Sequence, residues 1–319
     1  MSKGSLLVIH QGALGDFLLA LPALWVLYGS LQPKRFAVMG HPWVVEVLKG
    51  VPVIEVLDVN LPEASSLWRG GGSPLFGGFQ VAAVFSKAAE LREALLRAGT
   101  RQVLSLPPFP EDGQTHVMDH HIKNLYRLGF TAKISWPEVF LTDEEKRQAK
   151  EVLLAQGARP PFFVLHPGAG SPKKLWPPER MVEISRRLKA LGLYSVVVEG
   201  PADGEAVEAF SAVHRGEGLF LRRPPLRRLA AILSEASLYL GNDSGISHLA
   251  ASVGTPTLVL FGPTDPALWS PRGPRVRWLW GRAPCAPCPA EQRRRCPHPL
   301  CMEAIGVEEV WAALEELLQ

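Results

Sequence analysis

The sequence lacks a strong excess of charge of either sign, and it contains no low-complexity tract. Charged residues make up 20% and hydrophobic residues 47% of the 319 residues, a balance that is typical of globular proteins and excludes a disordered chain. The formal net charge of +3 is too small to indicate a nucleic-acid partner. We interpret the arginine clusters as solvated faces; they are Arg222–Arg223, Arg227–Arg228 and Arg293–Arg295.

A hydrophobic run long enough for a membrane span is also lacking. The uncharged segment Phe17–Gln32 falls short of the roughly 20 residues that a bilayer requires, Asp16 precedes it and Pro22 interrupts it. The strand-like LLVIH before it makes a poor start for a signal peptide. We therefore predict a strand, a turn and a buried helix here, in a cytoplasmic protein that is at most peripheral on the inner face of the cytoplasmic membrane.

Cysteine is scarce, and its four copies, Cys285, Cys288, Cys296 and Cys301, all lie in CAPCPAEQRRRCPHPLC. The first pair has metal-ligand spacing, and a site of four thiolates, or of three with His298, is one interpretation. The remaining spacing matches no zinc template, and persistent disulfides are not expected in a cytoplasmic protein. We favour buried or free thiols and leave a structural metal as the alternative.

Short apolar runs that end in glycine-rich turns, each followed by a helical pattern, occur in both halves of the chain. This alternation predicts an α/β fold with two parallel sheets, one in each of two domains. We place the domain boundary after the polar helix that begins at residue 143, which gives domains 1–155 and 156–319. The predicted strands are residues 6–10, 35–40, 53–59, 81–86, 101–106, 161–168, 194–200, 238–243 and 257–263.

Ligands bind at the carboxyl ends of strands in such sheets, so the turns after residues 10, 166, 200 and 241 are the candidate sites. In the first turn, HQGALGDFLLALPAL, Gly12 and Gly15 free the backbone and Asp16 opens the helix. The turn lacks the third glycine and the acidic strand end of a dinucleotide site. Asp16 is either an N-cap or a general base.

Two turns of the second half have the residue types of an anion site. HPGAGSPKKLWPP places Lys173 and Lys174 beside small residues, without the register of a Walker loop, and indicates phosphate binding over a plain surface role. GNDSGISHLAASVGTPTLVLFGPTDP contains a helix start. There Asn242, Asp243 or Ser244 either caps the helix or contributes to an anion site, and Gly245 lets a ligand approach the backbone.

Together these three segments resemble the heptosyltransferase family, glycosyltransferase family nine. The resemblance implies a GT-B fold, with two Rossmann-like domains whose parallel sheets face a central cleft. It implies that the first domain handles the acceptor and the second binds the nucleotide sugar. By resemblance, Asp16 is the base and Lys174 binds phosphate. The other implied donor-binding residues are Asp243, Ser244, Gly245, His248, Gly15, Ser171 and, less directly, Glu205.

The implied reaction is an inverting transfer, with a sugar such as heptose from ADP-heptose as donor. The acceptor would be a lipopolysaccharide core or another lipid-linked or oligosaccharide glycan at the inner membrane face. The chain contains no Asp-x-Asp, so we expect the reaction to need no metal and no other cofactor. Alternatives are a nucleotide-sugar epimerase or hydrolase on the same scaffold, and a non-catalytic nucleotide-sugar-binding protein.

Overall fold

A computed structural model of the protein describes residues 4–69, 75–131, 136–214 and 218–319. The chain packs into two compact units, Met1–Pro137 and Glu138–Gln319. Each unit is built on one sheet in which all strands are parallel. The predicted α/β fold with two parallel sheets is therefore confirmed.

The sheet of the first unit has five strands in the order β3-β2-β1-β4-β5. Chain order reverses between β1 and β4, so the loops after these two strands flank the switch point of the sheet, where α/β proteins bind ligands. The strands are β1 (Ser5–Ile9), β2 (Arg35–Gly40), β3 (Glu55–Asp58), β4 (Val81–Val84) and β5 (Gln102–Ser105). The helices are α1 (Leu14–Leu31), α2 (Pro42–Val45) with a 3-10 turn (Glu46–Leu48), α3 (Pro62–Trp68), α4 (Ala89–Arg97) and α5 (Val117–Arg127).

The sheet of the second unit has six strands in the order β11-β10-β9-β6-β7-β8, and its switch point lies between β6 and β9. Its strands are β6 (Phe162–His166), β7 (Tyr194–Glu199), β8 (Leu219–Arg222), β9 (Leu238–Asn242), β10 (Thr257–Phe261) and β11 (Val276–Trp280). Its helices are α6 (Asp143–Ala155), α7 (Pro178–Ala190), α8 (Gly204–Val213), α9 (Leu226–Ser234), α10 (Gly245–Ser252), α11 (Pro266–Trp269), α12 (Ala290–Arg295), α13 (Leu300–Glu303) and α14 (Val307–Leu318), with a 3-10 turn at Pro172–Lys174.

Helix α1 is the predicted buried helix. Apolar side chains surround it, and most of them are buried, including Phe17 and Leu18 in its first turns. Taken as a whole with Asp16 included, it is the one helix among the described residues that is long and apolar enough to cross a membrane, although its uncharged run alone is shorter than a span, and 61% of the relevant window is buried in the protein. The buried helix predicted from the sequence is therefore confirmed.

The division between the two units precedes the domain boundary that the sequence suggests. Helix α6 lies in the second unit, because it packs against α9. Thr142 caps α6 in a capping box with Glu145, and the same carboxylate accepts hydrogen bonds from Arg227 of α9 at 2.6 and 2.9 Å. Since both partners are largely screened from solvent, this pair attaches the helix to the second unit.

Candidate functional site

The turn after β1 brings three sequence-predicted residues together in the first unit. Asp16 lies in the first turn of α1, one residue after Gly15, and the N-cap position belongs to Ala13. The suggestion that Asp16 is an N-cap is therefore wrong. A side chain at Gly12 would come within 3.2 Å of an Asp16 carboxylate oxygen and 2.7 Å of the His10 ring. Glycine at position 12 thus leaves room for both groups beside the backbone.

Two buried histidines accompany this turn and are uncharged at neutral pH. His10 accepts a hydrogen bond from the Gly12 N–H through Nδ1 at 3.2 Å, and its ring lies 5.3 Å from that of Phe85. Burial lowers the pKa of His10 to about 4. Burial, and then the neighbouring histidines, lower the pKa of His121 to about 3. Both rings are therefore neutral at pH 7, and Asp16 is the acidic side chain in the first turn of α1 beside them.

In the second unit, Asn242 at the end of β9 fixes the loop that follows β6. Its Nδ2 donates to the carbonyl of Pro167 at 2.8 Å, and its Oδ1 accepts from the backbone N–H of Trp176 at 3.1 Å. The side chain is fully buried. These two bonds hold both ends of the loop that contains Ser171 and Lys174. The sequence predicts for Asn242 only a helix cap or a part in an anion site, because its loop partners are 75 and 66 residues away along the chain.

Lys174 and Asp243, both predicted as donor-binding residues, form an ion pair. Lys174 Nζ donates to Asp243 Oδ2 at 2.6 Å, and the same oxygen accepts from Thr264 Oγ1 at 2.5 Å. Asp243 is buried and Lys174 is partly exposed. The loops that follow β6, β9 and β10 therefore meet at one carboxylate. Asp243 thereby holds the ammonium group at the carboxyl edge of the sheet.

The start of α10 has the features of an anion site. Ser244 is the N-cap and its Oγ accepts from the backbone N–H of Ser247. This decides which of the three candidate residues caps the helix. Within the described part of the chain, the N–H groups of Gly245 and Ile246 have no hydrogen-bond acceptor. They are the unpaired donors expected at a helix start, which carries partial positive charge. His248 is buried one turn later in α10.

An acidic residue in the loop after β7 also joins this cluster, and it is Asp203, whereas the family resemblance points to Glu205. Asp203 is buried and its Oδ2 accepts from His166 Nε2 at 2.8 Å and from the Gly200 N–H at 2.7 Å. The His166 contact and backbone N–H groups lower the pKa of the Asp203 carboxyl, against the opposing and largest effect of burial. Glu205 is exposed in the first turn of α8.

The structure therefore brings together the predicted Lys174, Asp243, Ser244 and Gly245 at the switch point of the second sheet. Ser171 caps the 3-10 turn that ends at Lys174, where its Oγ accepts from the Lys173 N–H at 3.3 Å. Gly15 and Asp16 belong to the first unit.

The family model for glycosyltransferase family 9 (heptosyltransferase) matches residues 107–298, more than half of the chain and the whole cluster in the second unit. The chain belongs to glycosyltransferase family 9. Among curated family 9 relatives, lipopolysaccharide heptosyltransferase 1 of Pseudomonas aeruginosa is 31% identical over 175 residues, which cover 50% of this chain and 48% of the relative. Lipopolysaccharide heptosyltransferase 3 of Escherichia coli is 26% identical over 211 residues, which cover 64% and 60%. The matched part is thus less than two thirds of either relative.

The family 9 chain also has the GT-B fold. The solved structure of E. coli ADP-heptose lipopolysaccharide heptosyltransferase II has a TM-score of 0.79 to it at 18% identity and covers 98% of both chains. The family match begins after Asp16, so it bears on the second-unit cluster and not on the turn after β1.

The four cysteines of the family 9 chain are free thiols, and two of them, Cys288 and Cys301, lie beside the loop after β10. Cys301 is buried, and its Sγ would lie 3.0 Å from a Cβ placed at Gly262. Cys288 donates from Sγ to the Cys285 carbonyl at 3.0 Å, and burial, followed by the neighbouring thiols, raises its pKa. Over the ranges that the structure describes, no three histidine, cysteine or acidic side chains are placed as ligands of one metal ion.

Proposed function

We propose that the protein is an inverting glycosyltransferase that moves a heptose from ADP-heptose to a lipopolysaccharide core or a related glycan. The observation that carries the proposal is the ion pair of Lys174 with Asp243, which lies two residues before the start of α10 at one edge of the second sheet. Two kinds of positive charge from loops far apart in sequence converge there. Family membership and the names of the relatives, which are lipopolysaccharide heptosyltransferases, support the choice of donor and acceptor.

The leaving group of this reaction is a nucleoside diphosphate, which gains negative charge as the bond to the sugar breaks. Lys174 and the N–H groups of Gly245 and Ile246 are donors held in place before the reaction, so they stabilise this charge without reorganisation. Asp243 is an anion and does not itself bind phosphate. It holds Lys174 and, as an acceptor, is suited to hydroxyl groups of the sugar.

The nucleophile is a sugar hydroxyl, which is weakly reactive at neutral pH. A carboxylate within hydrogen-bond reach takes its proton as the oxygen attacks the anomeric carbon. We assign this role to Asp16, in the turn at the switch point of the first sheet. Direct displacement with one base forms the new bond on the face opposite the leaving diphosphate, which inverts the anomeric carbon.

We further propose that transfer requires no divalent cation. Hard cations take several oxygen ligands, and a metal-dependent transferase uses them to hold the diphosphate. The second-unit cluster contributes one carboxylate toward the diphosphate, that of Asp243, and two of its described neighbours, Lys174 and Thr264, already donate to it. The ammonium group and the helix start therefore take the role that a cation has in other enzymes.

The deciding experiment incubates the protein with ADP-heptose and a heptose-free lipopolysaccharide core, with excess EDTA or with added magnesium. We expect ADP release, an acceptor heavier by one heptose, and an anomeric configuration opposite to that of the donor, all unaffected by EDTA. A melting curve in EDTA checks that the chelator leaves the fold intact.

Other outcomes assign other functions. ADP released equally without acceptor indicates a hydrolase, and an altered sugar that stays attached to ADP indicates an epimerase. Binding without turnover indicates a binding protein. Activity lost in EDTA in a folded protein and restored by magnesium contradicts the metal-independent mechanism. Because the acceptor is lipid-linked, we place the reaction at the inner face of the cytoplasmic membrane.

A further inference from the structure

A chain of buried polar contacts connects three loops beneath the proposed donor site. Asp203 Oδ2 accepts from His166 Nε2 at 2.8 Å, and His166 Nδ1 lies 3.1 Å from Ser244 Oγ. Asp203 follows β7, His166 ends β6 and Ser244 follows β9, which are three neighbouring strands. Asp203 and His166 are at most 6% exposed. The contacts therefore run across the switch point under the cluster that contains Lys174.

The direction of each hydrogen bond follows from the chemistry of the groups. An ionised carboxylate only accepts, so Nε2 of His166 carries a proton. In the neutral ring Nδ1 is then an acceptor, and the Ser244 hydroxyl donates to it. The Ser244 oxygen keeps its lone pairs for the Ser247 N–H, which it caps. The hydroxyl hydrogen of Ser244 is thus donated to His166, so the part of Ser244 that is left for a ligand is its backbone.

Asp203 occupies the N-cap position of α8 but makes no side-chain cap there. Its carboxylate turns instead toward His166, the Gly200 N–H and the Ala169 N–H. A Cβ at Gly168 would lie 2.1 Å from the Asp203 carboxyl carbon, and one at Gly200 would lie 2.5 Å from its Oδ2. Two glycines therefore make room for this side chain, which indicates that its position is specific.

The other side of the α10 cap is anchored as well. Ser247 Oγ donates to the Asn242 carbonyl at 2.6 Å, and the hydroxyl of Tyr239 lies 3.0 Å from Ser247 Oγ. Tyr239 is fully buried, and burial raises its pKa, so it stays a donor at neutral pH. The Asp243 N–H donates to the Leu260 carbonyl at 3.0 Å, so the first residue of the turn is fixed too, and the Ser244 side chain is held by its contact with His166.

We propose that Asp203 and His166 are positioning residues of the donor site, which fix the proton on His166 Nε2 and thereby orient the Ser244 cap. This orientation keeps the N–H groups of Gly245 and Ile246 directed at the diphosphate. The inference rests on the proposed function, since it concerns how that site binds a nucleoside diphosphate. We call the hydrogen bonds from Asp203 through His166 to Ser244 the relay. The inference predicts that the relay controls affinity for the diphosphate by fixing the tautomer of His166.

The test uses two variants of His166, each of which keeps one of its two hydrogen bonds, and measures ADP binding by calorimetry. In His166→Gln the amide reaches the Nε2 position and keeps the bond to Asp203, whereas in His166→Asn it occupies the Nδ1 position and keeps the bond to Ser244. We expect each variant to weaken ADP binding about tenfold or more, because each breaks the relay once. If Asp203 merely supports its own loop, His166→Gln binds ADP as the wild type does, which overturns the proposal.

Asp203→Asn and nitrogen NMR of the His166 ring provide a second measurement. The amide introduced at residue 203 has two orientations, and in each of them its NH2 group faces a backbone N–H. In one of them the NH2 group donates to His166 Nε2, so the ring proton moves to Nδ1. We expect the wild-type ring to carry its proton on Nε2, and Asp203→Asn to shift it toward Nδ1 with weaker ADP binding. A wild-type ring protonated on Nδ1 alone contradicts the relay.

The control is His214→Gln, which changes another buried histidine of the second unit, one that lies 3.3 Å from Ser185 Oγ. If the His166 variants bind ADP weakly only because the protein is less stable, His214→Gln lowers ADP affinity by as much as they do. Such a result overturns the positioning role. A wild-type protein that does not bind ADP overturns the proposed function and this inference with it. ADP binding that is unchanged in all variants overturns the inference alone.

Discussion

Lys174 is the residue with the sharpest predicted effect on binding. Lys174→Ala removes a charged hydrogen-bond donor from the diphosphate, which we expect to weaken ADP binding by about 1.5–3 kcal/mol while adenosine binding is unchanged. Isothermal titration with both ligands measures this. Lys173→Ala is the matched control, because it removes the same charge one residue away in the same 3-10 turn. Equal losses in the two variants, or equal losses for ADP and adenosine, contradict a specific phosphate contact.

Part of the Lys174→Ala effect should come from Asp243, whose carboxylate then lacks its cationic partner and repels phosphate. Asp243→Asn in the Lys174→Ala background removes that repulsion, so we expect the double variant to bind ADP more tightly than Lys174→Ala. The four proteins form a double-mutant cycle that measures the coupling between the two side chains. Additive losses would show that the 2.6 Å contact has no bearing on ligand binding.

Asp16 should affect turnover and not donor binding. Asp16→Asn removes the proton acceptor with little change of shape, so we expect turnover to fall about a hundredfold or more while ADP affinity is unchanged. Glu90→Gln is the control, because Glu90 is an exposed acid in the first turn of α4 in the same unit. Near-normal turnover in folded Asp16→Asn would reduce Asp16 to an acid that stabilises a helix start.

At the scale of elements, the loop after β6 depends on one glycine for a reason that sequence did not reveal. The sequence shows Gly168 only as one of the small residues near Lys173 and Lys174, but the structure places the Asp203 carboxylate against it. We expect Gly168→Ala to lower the free energy of unfolding of the second unit by about 1–3 kcal/mol, since the added methyl group displaces that carboxylate. Gly170→Ala, where nothing lies within 4 Å, is the control and should be neutral. Thermal melts of both variants decide this.

Individual strands and loops also differ in how far the sequence predicts them. Strands β6 and β9 are buried on both faces, so each is a continuous apolar run that is recognised at once. Strand β11 lies at the edge of its sheet and exposes Arg277 and Trp278, so it has no such run and was not predicted. The turn chemistry marks Lys174 and Asp243 as candidates, and the family resemblance predicts that they bind the donor. The partners of Asn242 and Asp203 depend on which loops the sheet order brings together, and one sequence does not contain that information.

At the scale of the whole molecule, the first unit should be sensitive to mild acid. The pKa values of His10 and His121 are lowered from 6.5 to about 4 and about 3 in the folded state. The unfolded chain therefore binds more protons below pH 6.5, and stability that is complete above this pH falls as the pH decreases toward 4. At pH 5 each histidine accounts for a loss of about 2 kcal/mol.

Hydrogen exchange of β1 and α5 between pH 7 and 5 measures this loss in the first unit. His121→Leu removes one of the two titrating groups, and Nδ1 of His121 is buried without a hydrogen-bond partner among the described residues. We expect the variant to lose about half as much protection as the wild type over this range. The same pH dependence in both proteins would show that His121 does not set the acid limit.

The ion pair of Lys174 and Asp243 also bears on the rate of product release in the proposed reaction. The ammonium group has a counter-ion of its own in this structure, so an incoming diphosphate competes with a carboxylate that is already 2.6 Å away. The ammonium group has three N–H donors, so it can contact both anions, and its net electrostatic gain from the diphosphate is smaller than that of a bare lysine. The carboxylate keeps its contact with the lysine after the sugar has left. Asp243 would thus act as a built-in competitor that limits product inhibition and speeds release of ADP.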